Sequence, residues 1–421
     1  MNRRDFTVYD ATQRQSTSRH ASRAHIFAFA PNAWHGPWMN RQQILSRLAR
    51  RGWHTTYSTG PLSTWDRGSQ QWRAAPWRTS FETHDGVDIE IAGKALTRWP
   101  RLGPYDRIVS RRHAAALRRH ARCDSSDTIA YVFHPALHDV AAALQCRWIV
   151  YHAYDIFALQ PGWSDALETA QRALLQRADL VVASSPSVAQ ALREAGGDRM
   201  LVLPNGADAQ AFAAGALAPC PADLAAIPRP RIGYIGHLNR KVDFAMIASV
   251  AKTRPDWHWA LVGPVPDSGS AAPANDPRTA DALRTCRALA NVHFLGEKPH
   301  TALPAYAAHM DVNTICYRAD KGWWNAAAPL KLHEYLATGR PVVSVDLPDI
   351  RTFSDVVRFV RGGEEWPDAI AAALADRSPQ AVERRRRVAR ANSWDNRVDL
   401  LDHHLGAMIA ESRDSRRSVA S

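Results

Sequence analysis

Two side chains in one short stretch have the types and spacing that phosphate and ribose binding would need. They are Lys331 and Glu334, in the sequence N-A-A-A-P-L-K-L-H-E-Y-L-A-T-G-R-P-V-V-S-V at 325–345. The stretch predicts a helix over 329–338, so Lys331 lies in the first turn, where the helix dipole disfavours a cation by roughly 0.3–1 kcal/mol. A phosphate at that helix end would offset the charge, and Glu334 could accept hydrogen bonds from ribose hydroxyls. The alternative is a solvated Lys–Glu pair, which contributes about 0.2–0.5 kcal/mol.

The flanking residues predict that this stretch folds as a loop, a helix and a buried strand. Pro329 suits the first helical position, where an N–H is not needed, and Gly339 suits the left-handed residue after a helix. Apolar residues recur three and four positions apart, which predicts one inward face. That face consists of Leu332, Tyr335 and Leu336. The apolar run 342–345 predicts a parallel strand covered on both sides.

The same stretch resembles a known family signature. P-L-K-L-H-E-Y-L-A-T-G-R-P-V-V is similar to the donor-site motif of GT-B glycosyltransferases, in particular of bacterial family 4-like (group 1) enzymes of polysaccharide synthesis. The strings A-D-L-V-V-A-S-S at 178–185 and L-P-N-G-A-D at 203–208 resemble the end of the N-terminal domain in that family. The resemblance implies that Lys331 and the helix end hold a nucleotide-sugar diphosphate, and that Glu334 holds the ribose.

One position departs from the family pattern. Many members carry another glutamate eight positions before the one that corresponds to Glu334, and it contacts the donor sugar. This chain has Ala326 at that position. The resemblance therefore supports nucleotide binding and leaves the sugar contact open. Asp320 and Asn325 are the candidates to replace it.

The elements that must position these residues begin near the N-terminus. A buried strand is predicted at 25–30, a glycine loop at 31–38, a helix at 41–50 and the next strand from 53, which is the opening of a doubly wound α/β domain. Loops after such strands face the ligand crevice. The acceptor-side candidates in the first loop are Trp34, His35 and Gly36. A packing loop is the alternative.

A histidine and an aspartate follow the strand predicted at 148–151. Both His152 and Asp155 should open onto the crevice. In inverting relatives an Asp or His of the N-terminal domain removes the proton of the acceptor hydroxyl, so Asp155 is the first candidate for the catalytic base and His152 the second. The alternative is that Asp155 caps a turn. Whether the anomeric configuration is retained or inverted is left open.

A second alternation of strands and helices starts at 231 and predicts a second parallel-sheet domain. Its first turn contains a glycine that lets the backbone approach a pyrophosphate and cations that attract one. The resemblance implies that a lysine here contacts the diphosphate, with Arg240 as the competing assignment. The donor-side candidates outside the key helix are Gly236, His237, Arg240, Lys241 and Arg318.

The predicted fold is α/β, with two Rossmann-like domains of the GT-B architecture facing each other across a cleft. The predicted segments are a disordered basic tail (1–22), an acceptor-binding domain (23–208), a linker (209–230), a nucleotide-sugar-binding domain (231–392), and a helix that crosses back to the first domain with a frayed tail (393–421).

Composition narrows the classes of function. The 421 residues have a formal net charge of +12, which fits phosphorylated substrates or an anionic membrane surface, and the basic segment 110–122 is a candidate for peripheral membrane contact. No apolar run is long enough for a membrane span, no zinc-finger or other nucleic-acid motif occurs, and five scattered cysteines suit a reducing cytoplasm. The sequence predicts no secretory signal and no metal site, and it contains no D-x-D motif.

The sequence thus predicts a metal-independent hexosyl-type glycosyltransferase that needs no cofactor. It would transfer a sugar from a nucleotide donor to a saccharide or lipid-linked saccharide in polysaccharide or cell-envelope synthesis. A nucleotide-sugar isomerase such as an epimerase, or a non-catalytic glycan-binding relative, are the alternatives, and a nucleic-acid partner is not expected.

Overall fold

The computed structural model describes residues 24–36, 38–123, 127–266, 272–320, 322–326 and 328–420, without the side chains of Gln70 and of 413–420. The tail expected at 1–22 lies outside the described residues.

The first domain is built on a mostly parallel sheet whose central strands are buried on both faces. Within the described residues eight strands form it, in the order β3-β4-β2-β1-β5-β6-β7-β8, and only the edge strand β3 runs antiparallel to its neighbour. The strands are β1 (His25–Phe29), β2 (Thr55–Ser58), β3 (Ser80–His84), β4 (Val87–Ile91), β5 (Thr128–Val132), β6 (Trp148–Ala153), β7 (Leu180–Ala183) and β8 (Met200–Val202). The hairpin of β3 and β4 lies between β2 and the helix Gly103–Ala121 in the chain.

The second domain repeats this plan. Six strands of the described chain form its sheet, all parallel, in the order β11-β10-β9-β12-β13-β14. They are β9 (Arg231–Ile235), β10 (His258–Val262), β11 (Val292–Gly296), β12 (Val312–Ile315), β13 (Val342–Val345) and β14 (Val357–Val360). The predicted strand at 342–345 is confirmed, and it is buried because helices cover both faces.

Helices flank both sheets and connect successive strands. In chain order they are α1 (Asn40–Arg50), α2 (Gln70–Ala74), α3 (Gly103–Ala121), α4 (His138–Ala143), α5 (Asp165–Arg177), α6 (Pro186–Glu194), α7 (Ala209–Ala214), α8 (Ala222–Ala225), α9 (Phe244–Thr253), α10 (Pro277–Ala288), α11 (Leu303–His309), α12 (Lys331–Thr338), α13 (Trp366–Ala375), α14 (Pro379–Ala391) and α15 (Trp394–Ala420). Two parallel-sheet α/β domains, as predicted from the alternation of strands and helices, are therefore confirmed.

The segment 209–230, predicted to be a linker, is folded onto the second domain. It contains α7 and α8, and Phe212, Leu224 and Ile227 belong to that domain's buried core. Its alanines favour helix and its few large apolar residues supply the contacts, so composition alone suggested too loose a structure.

The C-terminal helix α15 crosses back to the first domain, as predicted. Trp394, Val398 and Leu401 lie in the core of that domain, and Arg51 forms an ion pair with Asp399 at 2.6 Å. Helix α15 extends to Ala420.

The chain thus passes between the domains twice, and the two passages touch. Ala207 donates a backbone hydrogen bond to Asn392 at 3.1 Å, and Trp394 donates one to Ala207 at 3.0 Å. These backbone hydrogen bonds hold the two passages side by side.

Candidate active site in the interdomain cleft

The two sheets present their carboxyl edges to each other. In the second sheet β10 lies on one side of β9 and β12 lies on the other. The order in which the chain adds strands therefore reverses between β9 and β12. Ligands of open α/β sheets bind in the crevice at such a point. The residues after β9 and the N-terminus of α12 lie there.

Tyr335 fixes the position of α12. Its hydroxyl accepts a hydrogen bond from the backbone N–H of Ile235, the last residue of β9, at 2.8 Å. The inward face predicted for this helix is confirmed, since its apolar members are almost completely buried; they are Leu332, Tyr335 and Leu336. Gly339 ends the helix with φ +80°, as predicted. The start is two residues later than predicted, which makes Lys331 the first helical residue.

Lys331 lies against aromatic rings and against a glycine. Its ammonium is 3.9 Å from the centre of the Tyr234 ring and 5.4 Å from that of Tyr317. Gly236 follows β9 with φ +134°, and a Cβ at that position would come within 2.7 Å of the Lys331 Nζ. Only glycine therefore combines this backbone conformation with room for the lysine.

Lys241 approaches the same place from the loop after β9. Val242 pairs antiparallel with Tyr317, and Arg318 donates a backbone hydrogen bond to Lys241 at 2.8 Å. This pairing leaves the Lys241 ammonium 5.0 Å from the Tyr317 ring and 5.5 Å from the Trp323 ring. Two lysines thus converge on one aromatic side chain.

Neither ammonium has a carboxylate at ion-pairing distance among the described residues. Burial lowers the pKa of Lys241 to about 8, with Asp155 opposing the shift. Burial, and then the charge of Lys241, lowers the pKa of Lys331 well below its usual value. Two unpaired cations at a helix N-terminus form a site that an anion would stabilise.

Glu334 completes this wall of the cleft. Burial raises its pKa to about 7, Lys331 opposes the shift, and Asp208 adds to it. The carboxylate is half-buried, and no hydrogen bond engages it within the described part of the chain. It is available to accept hydrogen bonds from a ligand.

Asp155 faces the lysines from the first domain. Its Oδ1 accepts the N–H of Ile156 at 2.9 Å, and its Oδ2 accepts from the side chain of Gln160 at 2.6 Å. Burial raises its pKa to about 6, and its hydrogen bonds and the charge of Lys241 across the cleft oppose the shift. Asp155 also lines a cavity of about 290 Å³ between α5 and α6. The carboxylate caps a turn, which is the alternative that the sequence left open. It also lies at the cleft.

Comparisons with known proteins agree with this arrangement. Residues 42–211 match the Glycosyltransferase Family 4 model, and residues 229–377 match the model of Glycosyl transferases group 1. Together the two matches cover more than half of the chain. The chain belongs to the family 4 and group 1 glycosyltransferases.

One relative shows moderate sequence identity over part of this glycosyltransferase chain. It is 30% identical over 238 residues to TuaH of Bacillus subtilis (strain 168), provisionally described as a teichuronic acid biosynthesis glycosyltransferase. The match covers 54% of this chain and 57% of TuaH, so the likeness spans little more than half of that protein.

Solved structures share its GT-B fold at low identity. Sucrose-phosphate synthase from Thermosynechococcus elongatus superimposes with a TM-score of 0.69 at 16% identity, covering 92% of this chain and 100% of its own. Anabaena HepE, solved in complex with UDP, gives a TM-score of 0.64 at 16% identity, covering 91% of this chain and 100% of its own.

The second base candidate of the glycosyltransferase chain, His152, does not open onto the cleft. It lies within β6, is 1% exposed, and its Nδ1 is 2.8 Å from the Tyr131 hydroxyl. Burial lowers its pKa to about 3. The strand runs two residues further than the sequence predicted, which moves His152 from a loop into the core.

The acceptor-side loop is only partly as predicted. Trp34 is 2% exposed and packs edge-on against Tyr57 with ring centres 5.0 Å apart, so it is a core residue and lines no groove. His35 is exposed and pairs with Glu82, and Gly36 follows it at the loop surface. The cross-domain contact of this loop comes instead from Trp38, whose ring lies 5.7 Å from that of His300.

Arg318 holds the donor-side loop together and is not available to a phosphate. It forms ion pairs with Asp276 and Asp320, and it donates to the Thr279 hydroxyl at 3.0 Å. Asp320 is thereby occupied as well. Arg240 acts electrostatically on Asp276, which places it near this cluster.

Two other donor-side residues remain at the site. His237 has a lowered pKa because of desolvation and then because of Lys241 and Lys331, which places it beside them. The Asn325 Oδ1 is buried without a hydrogen-bond partner among the described residues, in the short helix Trp323–Ala326 before α12. Of the two candidates for the missing glutamate, Asn325 is the one with a free acceptor.

Sequence reasoning missed Arg41. It lies in the first turn of α1 at the cleft edge of the first domain, is 2% exposed, and interacts with Tyr57 and Tyr154. A cation in the first turn of a helix after a strand-ending loop was the signal that could have identified it.

No group of three or more His, Cys, Asp or Glu side chains in the described ranges has the arrangement to hold a metal ion. No helix in the described part of the chain is long and apolar enough to cross a membrane.

Proposed function

We propose that the protein transfers a sugar from a nucleotide-sugar donor to a saccharide or lipid-linked saccharide acceptor in cell-envelope polysaccharide synthesis. The observation that carries the proposal is the pair of unpaired ammonium groups, Lys241 and Lys331, at the N-terminus of α12. A diphosphate supplies the two negative charges that this site lacks.

The donor would lie along α12. Its diphosphate contacts Lys331, Lys241 and the N–H groups of the helix end, with His237 beside them, and its ribose hydroxyls donate to Glu334. Gly236 lets the phosphate approach the backbone. Uridine nucleotides are the first to test, because HepE was solved with UDP.

The donor sugar would point toward the loop that precedes α12. Asn325 replaces the family glutamate that Ala326 lacks, because its Oδ1 is a buried acceptor without a partner in the described chain. An amide recognises a sugar hydroxyl without adding negative charge next to the diphosphate. The transferred group is a hexosyl residue.

The acceptor would enter from the first domain. Asp155 stands between the cavity at α5 and α6 and the lysine pair, and its raised pKa of about 6 suits a general base near neutral pH. In the direct-displacement mechanism Asp155 removes the proton of the acceptor hydroxyl as that oxygen attacks the anomeric carbon. The diphosphate leaves with its charge held by Lys331, Lys241 and the helix end, without need of a metal.

The site requires no cofactor beyond its substrates. The enzyme would work in the cytoplasm, where nucleotide sugars are made, and peripherally on the inner face of the membrane if its acceptor is lipid-linked.

The test combines binding and turnover. Calorimetry against a panel of nucleotide sugars should find one that binds the wild type and not the Lys331→Ala protein, while Arg384→Ala, an exposed cation on α14, serves as the matched control. Equal affinity of wild type and Lys331→Ala would refute the donor site. Release of the nucleotide should require an acceptor; donor conversion without one would indicate the isomerase instead, and binding without turnover the non-catalytic relative.

A further inference from the structure

Exposed aromatic and apolar side chains concentrate on one part of the first domain. Of the eight large apolar residues that are most exposed among the described ones, six fall between residues 65 and 108. They are Trp65 (70%), Trp77 (72%), Trp99 (49%), Leu102 (48%), Tyr105 (43%) and Ile108 (50%). Apolar groups clustered at a surface in this way mark a binding site for a protein, ligand or membrane.

Backbone pairing brings the stretches that carry them together. Thr64 donates to the Arg98 carbonyl at 2.9 Å, which ties the turn of Trp65 to Trp99. Ala95 donates to the Trp77 carbonyl at 2.9 Å, which ties Trp77 to the same segment. That segment leads through Leu102, the N-cap residue, into α3, whose first two turns hold Tyr105 and Ile108.

The surrounding charge is strongly positive. The segments 59–79 and 92–112 contain nine Lys or Arg residues and two aspartates. Asp106 is buried and paired with Arg98 at 2.6 Å, so it does not offset the exposed arginines. Those next to the apolar residues are Arg101, Arg107, Arg111 and Arg112.

We propose that this aromatic–basic surface, defined by the six apolar residues and the four arginines, docks the protein on an anionic lipid bilayer. Tryptophan and tyrosine favour the headgroup region of a bilayer, and arginines attract anionic headgroups. An anionic saccharide could also contact tryptophan and arginine. It would not need the exposed aliphatic side chains of Leu102, which precedes α3, and Ile108, which lies in the second turn of α3; burial of these side chains favours acyl chains.

The surface lies at the cleft edge of the sheet. It follows the carboxyl ends of β2 and β4, and these strands run parallel to β6, which ends at the loop of Asp155. β2 and β4 are three and four strands away from β6 in the sheet order, or about 14 to 19 Å at ordinary strand spacing. A docked molecule would therefore present its acceptor side to the membrane. This orientation favours a lipid-linked acceptor, a conclusion that rests on the proposed function.

Vesicle sedimentation tests the proposal on the full chain. Wild type should bind vesicles of phosphatidylcholine mixed with phosphatidylglycerol, and bind pure phosphatidylcholine much more weakly. The triple variant Trp65→Ser, Trp77→Ser and Trp99→Ser should lose on the order of tenfold in partitioning per tryptophan. Leu159→Ser with Leu217→Ser, which removes equally exposed apolar residues elsewhere, is the control and should bind like wild type.

A charge variant provides an independent measurement. Arg107→Gln with Arg111→Gln should lower binding to the anionic vesicles by about fivefold per arginine. Arg384→Gln with Arg387→Gln on α14 removes the same charge from the other domain and should have little effect. All of these side chains are exposed, so circular dichroism and thermal midpoints should match those of wild type.

The outcomes separate this surface from the donor site. Absence of wild-type binding to the anionic vesicles, or equal binding by the tryptophan variant, would overturn the proposal. If the tryptophan variant lost affinity for a soluble anionic saccharide but bound vesicles like wild type, the surface would be a glycan site. That result would overturn the proposal too. The Lys331→Ala protein should still bind vesicles, so failure of nucleotide binding would leave this inference intact.

Discussion

Two helices begin at the cleft with a cation in the first turn, one in each domain, and only one of them forms an open site. Arg41 of α1 is 2% exposed and lies beneath Tyr57 and Tyr154. Lys331 of α12 is half-buried, lies against the rings of Tyr234 and Tyr317, and interacts electrostatically with Lys241. The same local signal therefore has two outcomes: Arg41 is covered within its own domain, where it interacts with tyrosines, whereas Lys331 lies half-buried at the cleft beside a second lysine.

The two edges also differ in the charge that they place in the cleft. The second domain contributes the ammonium groups, and the first domain contributes the carboxylate of Asp155. Opposite charges on facing edges suit a division of labour, in which one edge holds the donor diphosphate and the other takes up a proton. Variants on the two edges should accordingly separate turnover from donor binding.

The largest expected effect is on turnover. Asp155→Asn should lower kcat by about 10²–10⁴-fold if Asp155 is the base, because the amide cannot take the proton, while donor affinity changes little. Coupled nucleotide-release assays and calorimetry measure the two quantities. A normal rate would indicate transfer with retention and no base. Gln160→Ala serves as a control, because it removes a hydrogen bond that favours the carboxylate form of Asp155. It should raise the pKa of Asp155 and shift the acidic limb of the pH–rate profile to higher pH.

The next effect contrasts the two cations. Lys331→Met should weaken donor binding on the order of a hundredfold, the loss of about 3 kcal/mol expected for a charge-assisted contact. It should also raise the thermal midpoint of the ligand-free protein. The sign follows because a lysine whose pKa is lowered on folding is less favourable in its charged form when folded, and methionine removes that charge.

Arg41→Met should do the opposite. It leaves donor affinity near that of wild type and destabilises the protein by about 1–3 kcal/mol, because buried hydrogen-bonding partners lose their donor. If Arg41→Met weakened donor binding as much as Lys331→Met, the two helix ends would be equivalent and the contrast between them would be wrong.

A smaller effect is expected at the ribose position. Glu334→Gln should weaken donor binding about tenfold, since the amide keeps the shape but accepts weaker hydrogen bonds from hydroxyl groups than a carboxylate does. The change should be absent for inorganic diphosphate, which has no ribose. Equal loss for both ligands would show that Glu334 acts through Lys331 and not on the sugar.

The smallest effect is the pH dependence of donor affinity. A nucleotide sugar has no group that titrates on its diphosphate near neutrality, so the protein sets the profile. Affinity should fall as pH rises above about 8, where free Lys241 loses its proton, and fall below about 7, where Glu334 becomes neutral. Calorimetry at several pH values in buffers of different ionisation enthalpy should detect proton uptake at the alkaline side. A flat profile would contradict the assignment of both groups.

Much of this arrangement follows from local sequence. The periodicity of Leu332, Tyr335 and Leu336, the glycine after the helix and the valine strand are near-neighbour properties, so one stretch predicts them. Lys331 and Glu334 lie three residues apart on one helix, and their common orientation needs no tertiary information. The alternation of strands and helices likewise predicts both parallel sheets.

The predictions for individual site residues were wrong where the exposure of a side chain depended on one or two extra residues of a strand or on a partner far away in the sequence. His152 became a core residue because β6 extends past it, and Trp34 because Tyr57 of the neighbouring strand covers it. Arg318 is occupied because Asp276, from a distant part of the chain, reaches it. None of these contacts has a short-range signature.

The sequence alone predicted the alternation of strands and helices, the doubly wound class and the helix whose N-terminus carries Lys331, because these depend on residue types within a few positions of each other. Only the tertiary structure decided which charged groups remain unpaired, and so where an anion can bind. Pairing depends on residues that are far apart along the chain, such as Lys241, Tyr317 and Asp155, and on whether folding brings an opposite charge within reach.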